Sequence, residues 1–238
     1  GDFGIRGAAP THPELLDELA LWYAQSGYSL KALCRRIVTS ATYQQSAVSA
    51  PERRNGDPDG RWLSRFPRQR LPAEVIRDSA LASSGLLTQH VGGPSVFPPQ
   101  PQAVTALAYG GFQWKPNAGD DRYRRSIYTF SKRTAPFAAF TIFDGVSGEN
   151  CVAQRERSMS PLQALTTLND PMFLECAQAF ALDLARIDQE DGSEAAITAL
   201  FLRALCRRPD PAELALASQF LEDIEPSSPV NGPHLSEA

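Results

Sequence analysis

Apolar residues recur at spacings of three and four in several stretches, and each stretch is opened and closed by residues that start and stop helices. After Thr11-His12-Pro13-Glu14, Thr11 is placed to accept from the N3 amide while Glu14 reaches back to the cap. Leu15, Leu16, Leu19, Trp22 and Tyr23 then share one face, and Gly27 stops the helix. Ser29 restarts a helix whose stripe is Leu30, Leu33, Cys34, Ile37 and Val38, and two helices so closely linked pack antiparallel or as a corner. Residues 51–60 are polar and turn-forming, which predicts a surface loop. A helix follows from Pro72, with Glu74 in its first turn and Val75, Ile76, Ser79, Ala80, Ala82 and Ser83 as a small-residue face; Gly85 ends it.

Helical periodicity resumes at Ser160-Pro161-Leu162-Gln163, a capping box followed by a stripe of Leu162, Leu165 and Leu168. Pro171 must break that helix, and Asp170 caps the next through Met172, Phe173, Cys176, Ala177, Phe180 and Leu184. Ser193 caps another through Ile197, Leu200, Phe201 and Leu205, and Asp210-Pro211-Ala212-Glu213 opens a last one reaching about Leu221. Residues 226–238 have the composition of a flexible tail. The expected fold is mainly α: one orthogonal helical bundle over residues 1–225, interrupted by a long, loop-rich central insertion at 89–159. Within the insertion, residues 126–130 read as a short strand and 106–109 as its hairpin partner.

Composition changes this picture little. With 42% hydrophobic residues the chain can build a core, and no apolar run approaches the roughly 20 residues a membrane span needs. Net charge is −4, unevenly placed: residues 29–70 hold nine Lys/Arg against three Asp/Glu, whereas residues 169–238 hold thirteen acids against four bases. Such lobes either dock within the fold, stay solvated, or offer a basic face to an anion. A pI near 5.5 argues against nucleic acid as that partner. Cys34, Cys151, Cys176 and Cys206 form no C-x-x-C or C-x-x-C-H pattern, so neither zinc nor covalent haem is expected in this chain. Cys34 and Cys206, inside apolar-periodic helices, are expected as small buried hydrophobes. The pentapeptide Ala-Leu-Cys-Arg-Arg occurs at 32–36 and 204–208 without matching flanks, which coincidence explains. The chain opens without Met and without a leader pattern, which reads as a piece of a longer protein.

The central insertion is where packing alone stops explaining the residues. It opens GGPSVFPPQP at 92–101, continues YRRSIYTFSKRTAPF at 123–137 with Phe143-Asp144, and ends RERSMSPLQALTTLNDPMF at 155–173. These runs, with THPELLD at 11–17, IVTSATY at 37–43 and LCRRP at 205–209, resemble the planctomycete domain of unknown function fifteen-fifty-three. The resemblance covers the chain to about Phe220. It implies an extracytoplasmic setting, at the C-terminal end of large exported proteins that often carry cytochrome-c-like domains. Haem would then belong to other domains, which become the expected partners. The family has no assigned activity, so the resemblance transfers no catalytic residue.

The residues themselves suggest a site rather than a reaction. Arg124, Arg125, Arg133, Arg155 and Arg157, with Lys132, concentrate beside Trp114, Tyr123, Tyr128 and Phe97. Guanidinium forks suit carboxylate, sulfate or phosphate, and aromatic faces suit sugar rings, so an anionic polysaccharide would use both. Convergence of Arg124, Arg125, Arg155 and Arg157 on Asp144 is expected. The competing expectation is an internal network in which these cations pair with Asp120, Asp144, Glu149 and Glu156 and pin the insertion onto the helices. A hydrolase is the alternative function, with Asp120 or Asp121 and Asp144 or Glu149 as acid and base. Of the three histidines only His90 lies near the insertion, which leaves a serine-type triad poorly supplied.

Overall fold

Most helices begin and end where the chain supplies caps and breakers. A computed structural model describes residues 4–101, 112–146, 148, 152 and 155–223, and among these the protein is mainly helical. Its contacts fall into two compact units, Gly1–Leu71 with Cys151–Gln154, and Pro72–Asn150 with Arg155–Ala238.

The first unit contains α1 (Pro13–Gln25), α2 (Leu30–Val38) and α3 (Pro51–Gly56). His12 rather than Thr11 occupies the cap of α1, and the Thr11 hydroxyl is taken up by the His12 ring nitrogen at 2.9 Å, so the expected capping box does not form. Ser29 does cap α2, accepting from the Ala32 N–H at 3.3 Å. The expected loop at 51–60 begins instead with α3, because Pro51 at the first helical position and Glu52 in the first turn both favour a helix start. No side chain of α1, α2 or α3 is buried, and Cys34 is exposed rather than packed.

Among residues described in this unit the one buried side chain is a carboxylate, Asp57. It accepts from the N–H groups of Arg61 at 2.7 Å and Trp62 at 3.0 Å and from the Ser64 hydroxyl at 3.1 Å. Burial pushes its pKa up, but the Trp62, Arg61 and Ser64 donors and the Arg65 charge outweigh that and hold it below the ordinary aspartate value. Arg65 locks the same turn from the other side, donating to the carbonyls of Asp57 at 2.5 Å and Pro58 at 2.7 Å.

The second unit contains α4 (Ala73–Ser83), α5 (Ala138–Ile142), α6 (Pro161–Asn169), α7 (Pro171–Asp191), α8 (Ser193–Leu205) and α9 (Pro211–Asp223). The break between α6 and α7 falls where Pro171 demands it, and Asp170 accepts from the Met172 N–H at 2.9 Å. The box at α9 is complete: Glu213 N–H donates to Asp210 at 2.8 Å and Asp210 N–H to Glu213 at 2.9 Å. Arg207 adds two 2.6 Å bonds to Glu213, whose pKa this bonding draws down to about 2. Cys206 sits in the left-handed region at the end of α8 and is exposed, against expectation.

Two apolar clusters form here. Leu81, Met172 and Cys176 bury against Leu86, Leu87, Tyr123 and Phe173, joining α4 to α7. Trp114, Phe137 and Ala139 bury against Phe97, Phe112, Phe130 and Phe140, with Phe97 stacked on Phe130 at 4.6 Å between centroids. The inward face of α4 is Ala73, Arg77 and Leu81, not the small-residue face that the sequence suggested; Val75 is 42% exposed.

Helix α6 is inverted relative to expectation. Leu162, Leu165 and Leu168 are 63%, 53% and 68% exposed, while Gln163 turns inward. Its amide donates to the Ile142 carbonyl at 3.0 Å and the Ser158 hydroxyl at 3.2 Å, so polar bonds, not the leucines, seat this helix.

The expected strand at 126–130 begins as a 3-10 turn, Ser126–Tyr128, because the Ser126 N–H is drawn to Asp78 at 2.7 Å and the Tyr128 N–H bonds back to the Arg125 carbonyl at 2.9 Å. Pairing among the described residues is limited to isolated parallel bridges, Thr88 with Arg124 and Val96 with Thr129. The proposed hairpin partner, 106–109, lies outside the described residues, as do Glu149, Cys151 and the tail.

Candidate functional site

Helix α4 presents Glu74, Arg77 and Asp78 within little more than one turn, and the insertion is fastened to them. Arg77 is 1% exposed. Its guanidinium donates to the carbonyls of Arg124 and Arg122, each at 2.8 Å, and to the Ser126 hydroxyl at 3.5 Å. Burial draws its pKa down to about 10, opposed by Asp78 and Cys176, so it remains a cation at neutral pH. Two nitrogens of one rigid fork hold two carbonyls of one turn at once, a geometry that the single nitrogen of a lysine does not present.

Arg124, also 1% exposed, repeats the device one layer out. It donates to the Pro94 carbonyl at 3.1 Å and to that of Gly92, and lies 4.0 Å over the Tyr128 ring. The Tyr128 hydroxyl in turn accepts from the Gly92 N–H at 2.8 Å. Wrapping this guanidinium requires Gly93 at φ +86°, where a side chain would be strained and its Cβ would meet Arg124 Nη1 at 3.5 Å. This accounts for the glycine pair of the GGPSVF run.

The remaining expected site residues are placed as follows. Arg125 faces Asp78 at 3.4 Å and Arg155 holds Glu74 at 2.8 Å, so both reach the same stretch of α4. Asp144 accepts from the N–H of Ser158 at 2.7 Å and its hydroxyl at 2.9 Å. Its turn is tight: a Cβ on Gly145 would come 2.7 Å from the Phe140 carbonyl oxygen. Tyr123 donates to Glu175 at 2.6 Å and Arg122 to the other oxygen of that carboxylate at 2.9 Å. Burial, then this bond, pushes the Tyr123 hydroxyl up to about 12. Trp114 is buried and donates to the Pro98 carbonyl at 2.7 Å, leaving no open ring face for a sugar. Lys132 lies 4.1 Å over the Phe112 ring, and Arg133 and Arg157 are exposed.

Most of the cations are legible in the sequence, and their partners are not. Glu74, Asp78 and Glu175 are the carboxylates that pair with Arg155, Arg125 and Arg122, and Arg77 adds the buried fork that holds the insertion's carbonyls. The available signal was Arg77 itself: with Ala73 and Leu81 at spacings of four, it sits in the middle of an apolar stripe, where an arginine must be paired. Chemically the cluster binds the insertion to the helices. Among the described residues no group of three or more His, Cys, Asp or Glu could hold a metal ion.

The family described as "PSD1: Protein of unknown function (DUF1553)" matches residues 1–221. The chain belongs to that family. No curated protein and no solved structure matches it. Within this PSD1 chain, the GGPSVF and YRRSIY runs are the two sides of the Arg124 clasp just described, and the SPLQAL run is the inverted helix α6.

Proposed function

We propose that this chain is a non-catalytic recognition module that docks another protein domain, one carried in the same larger, exported polypeptide beside redox domains of the cytochrome-c type. The observation that supports this reading is the outward ridge Met159, Leu162, Leu165 and Leu168, three residues apart and 53% to 91% exposed. From Ser158 to Asn169 there is no charged residue, which is unusual for a solvated helix and suits a neutral, apolar protein face. An anionic polysaccharide in the central insertion is less well supported, since Arg124 is buried and Arg125 and Arg155 already hold carboxylates. Carboxylate hydrolysis is likewise less well supported, because Asp144 is engaged by Ser158.

A photo-crosslinking residue, Leu165→p-benzoylphenylalanine, placed in the full-length polypeptide tests the reading. The expected outcome is a crosslink to another domain of that polypeptide, lost on Leu162→Asp. A crosslink only within residues 72–223, or none, refutes it.

A further inference from the structure

The first unit carries a cleft that the reading above does not use. Its volume is about 740 Å³, within the range of small-molecule sites. One side is α3, with Arg54 and Asn55; the other is the chain that follows the Asp57 turn, with Arg65, Phe66 and Arg68. The walls are fixed by hydrogen bonds: the Phe66 N–H donates to the Ser46 carbonyl at 3.2 Å, the Gln45 amide to the Leu63 carbonyl at 2.8 Å, and the Phe66 ring meets Tyr43 edge-on at 5.3 Å.

The arginines divide by task. Arg65 is spent on the Asp57 and Pro58 carbonyls. Arg54 and Arg68 are exposed on the cleft and make no ion pair among the described residues, within the segment that carries nine cations against three acids. One acid, Asp59, also faces the cleft. It opposes a ligand charged all over and suits one that carries hydroxyl donors beside a single anionic group. Phe66 and Val48 add apolar surface to the lining.

We infer that this cleft binds a singly anionic, hydroxylated ring: a sugar bearing one carboxylate or one sulfate. Arg54 and Arg68 take the oxyanion as charge-assisted donors, Asp59 and the Asn55 carbonyl oxygen accept from ring hydroxyls, and Phe66 packs against the ring. The site is independent of the ridge on α6, so either proposal can fail without the other.

Calorimetric titration of the full chain at low salt, with glucuronate, galactose 6-sulfate, glucose and sodium sulfate as separate probes, tests it. The expected result is saturable binding of glucuronate or galactose 6-sulfate, with the stronger of the two identifying the anion. Glucose and inorganic sulfate should bind at least about ten-fold more weakly. Arg54→Gln and Arg68→Gln, neither of which removes an internal bond, should each weaken binding about ten-fold or more with an unchanged melting temperature. Arg125→Gln, on the other unit, should leave it intact. Binding of no probe, sulfate binding as tightly as the sugar sulfate, or affinity untouched by both cleft variants overturns the proposal.

Discussion

The two units hold themselves together by different means. Residues 72–223 bury apolar side chains in two clusters and fix a long insertion with buried arginines. Residues 4–71 have apolar stripes of similar quality in sequence, yet their one buried side chain among the described residues is Asp57, and the stripe residues Leu15, Leu16 and Leu30 are 42% to 65% exposed. Helical periodicity therefore states which residues share a face, and says nothing about whether that face is covered. A unit ordered by a hydrogen-bonded turn gains specificity of shape, while the free energy of folding comes mainly from buried apolar area.

Separating the two units has the largest expected effect. Expressed alone, residues 4–71 are expected to be unfolded and residues 72–223 to unfold cooperatively, as judged by amide dispersion in NMR and by thermal melting. Two separately stable halves would refute the contrast, together with the expectation of one domain. Next in size are core truncations in the second unit: Arg77→Ala should cost about 3 kcal/mol, because it strands the buried Arg124 carbonyl and the half-buried Arg122 carbonyl. Leu81→Ala should cost about 2 to 5 kcal/mol, whereas Leu165→Ala on the ridge should stay within about 0.5 kcal/mol, all by denaturant titration. Asp57→Ala should leave the second unit unmoved while the Arg61 and Trp62 amides lose hydrogen-exchange protection. Arg155→Ala should have only a small effect, at most about 1 kcal/mol and salt-sensitive, because Arg155 and Glu74 are 41% and 33% exposed.

Alkaline melting probes the Tyr123–Glu175 bond. The Tyr123 hydroxyl is raised from 10.0 to about 12, so the folded state keeps a proton the unfolded chain has lost. Its contribution is complete below pH 10 and disappears between pH 10 and 12. Tyr123→Phe should remove that part of the alkaline loss.

Helices were legible because their signals are local. Ser29, Asp170, Pro171 and the Asp210–Glu213 box each act within four residues, and each appears where the chain predicts it. The expected strand at 126–130 failed for the opposite reason: what bends it is Asp78, forty-eight residues away, accepting from the Ser126 N–H. The arginines of the insertion were recognisable by density alone, but their partners on α4 and α7 were not, since local spacing carries no information about which carboxylate folds back onto them. Likewise the stripe on α6 forms as its spacing predicts but faces outward, because Gln163 takes the inward position through a bond to Ile142.

The Arg77 clasp also bears on the order of folding events. Its bonds join residues 45, 47 and 49 apart in sequence, so a long loop must close before any of them forms. Helix α4 can form locally beforehand, but the clasp is expected late, after the rate-limiting step. Its loss would then appear chiefly as faster unfolding, with the folding rate little changed. On that account Arg77 acts as a latch, which sets the lifetime of the closed insertion more than the speed with which the chain reaches it.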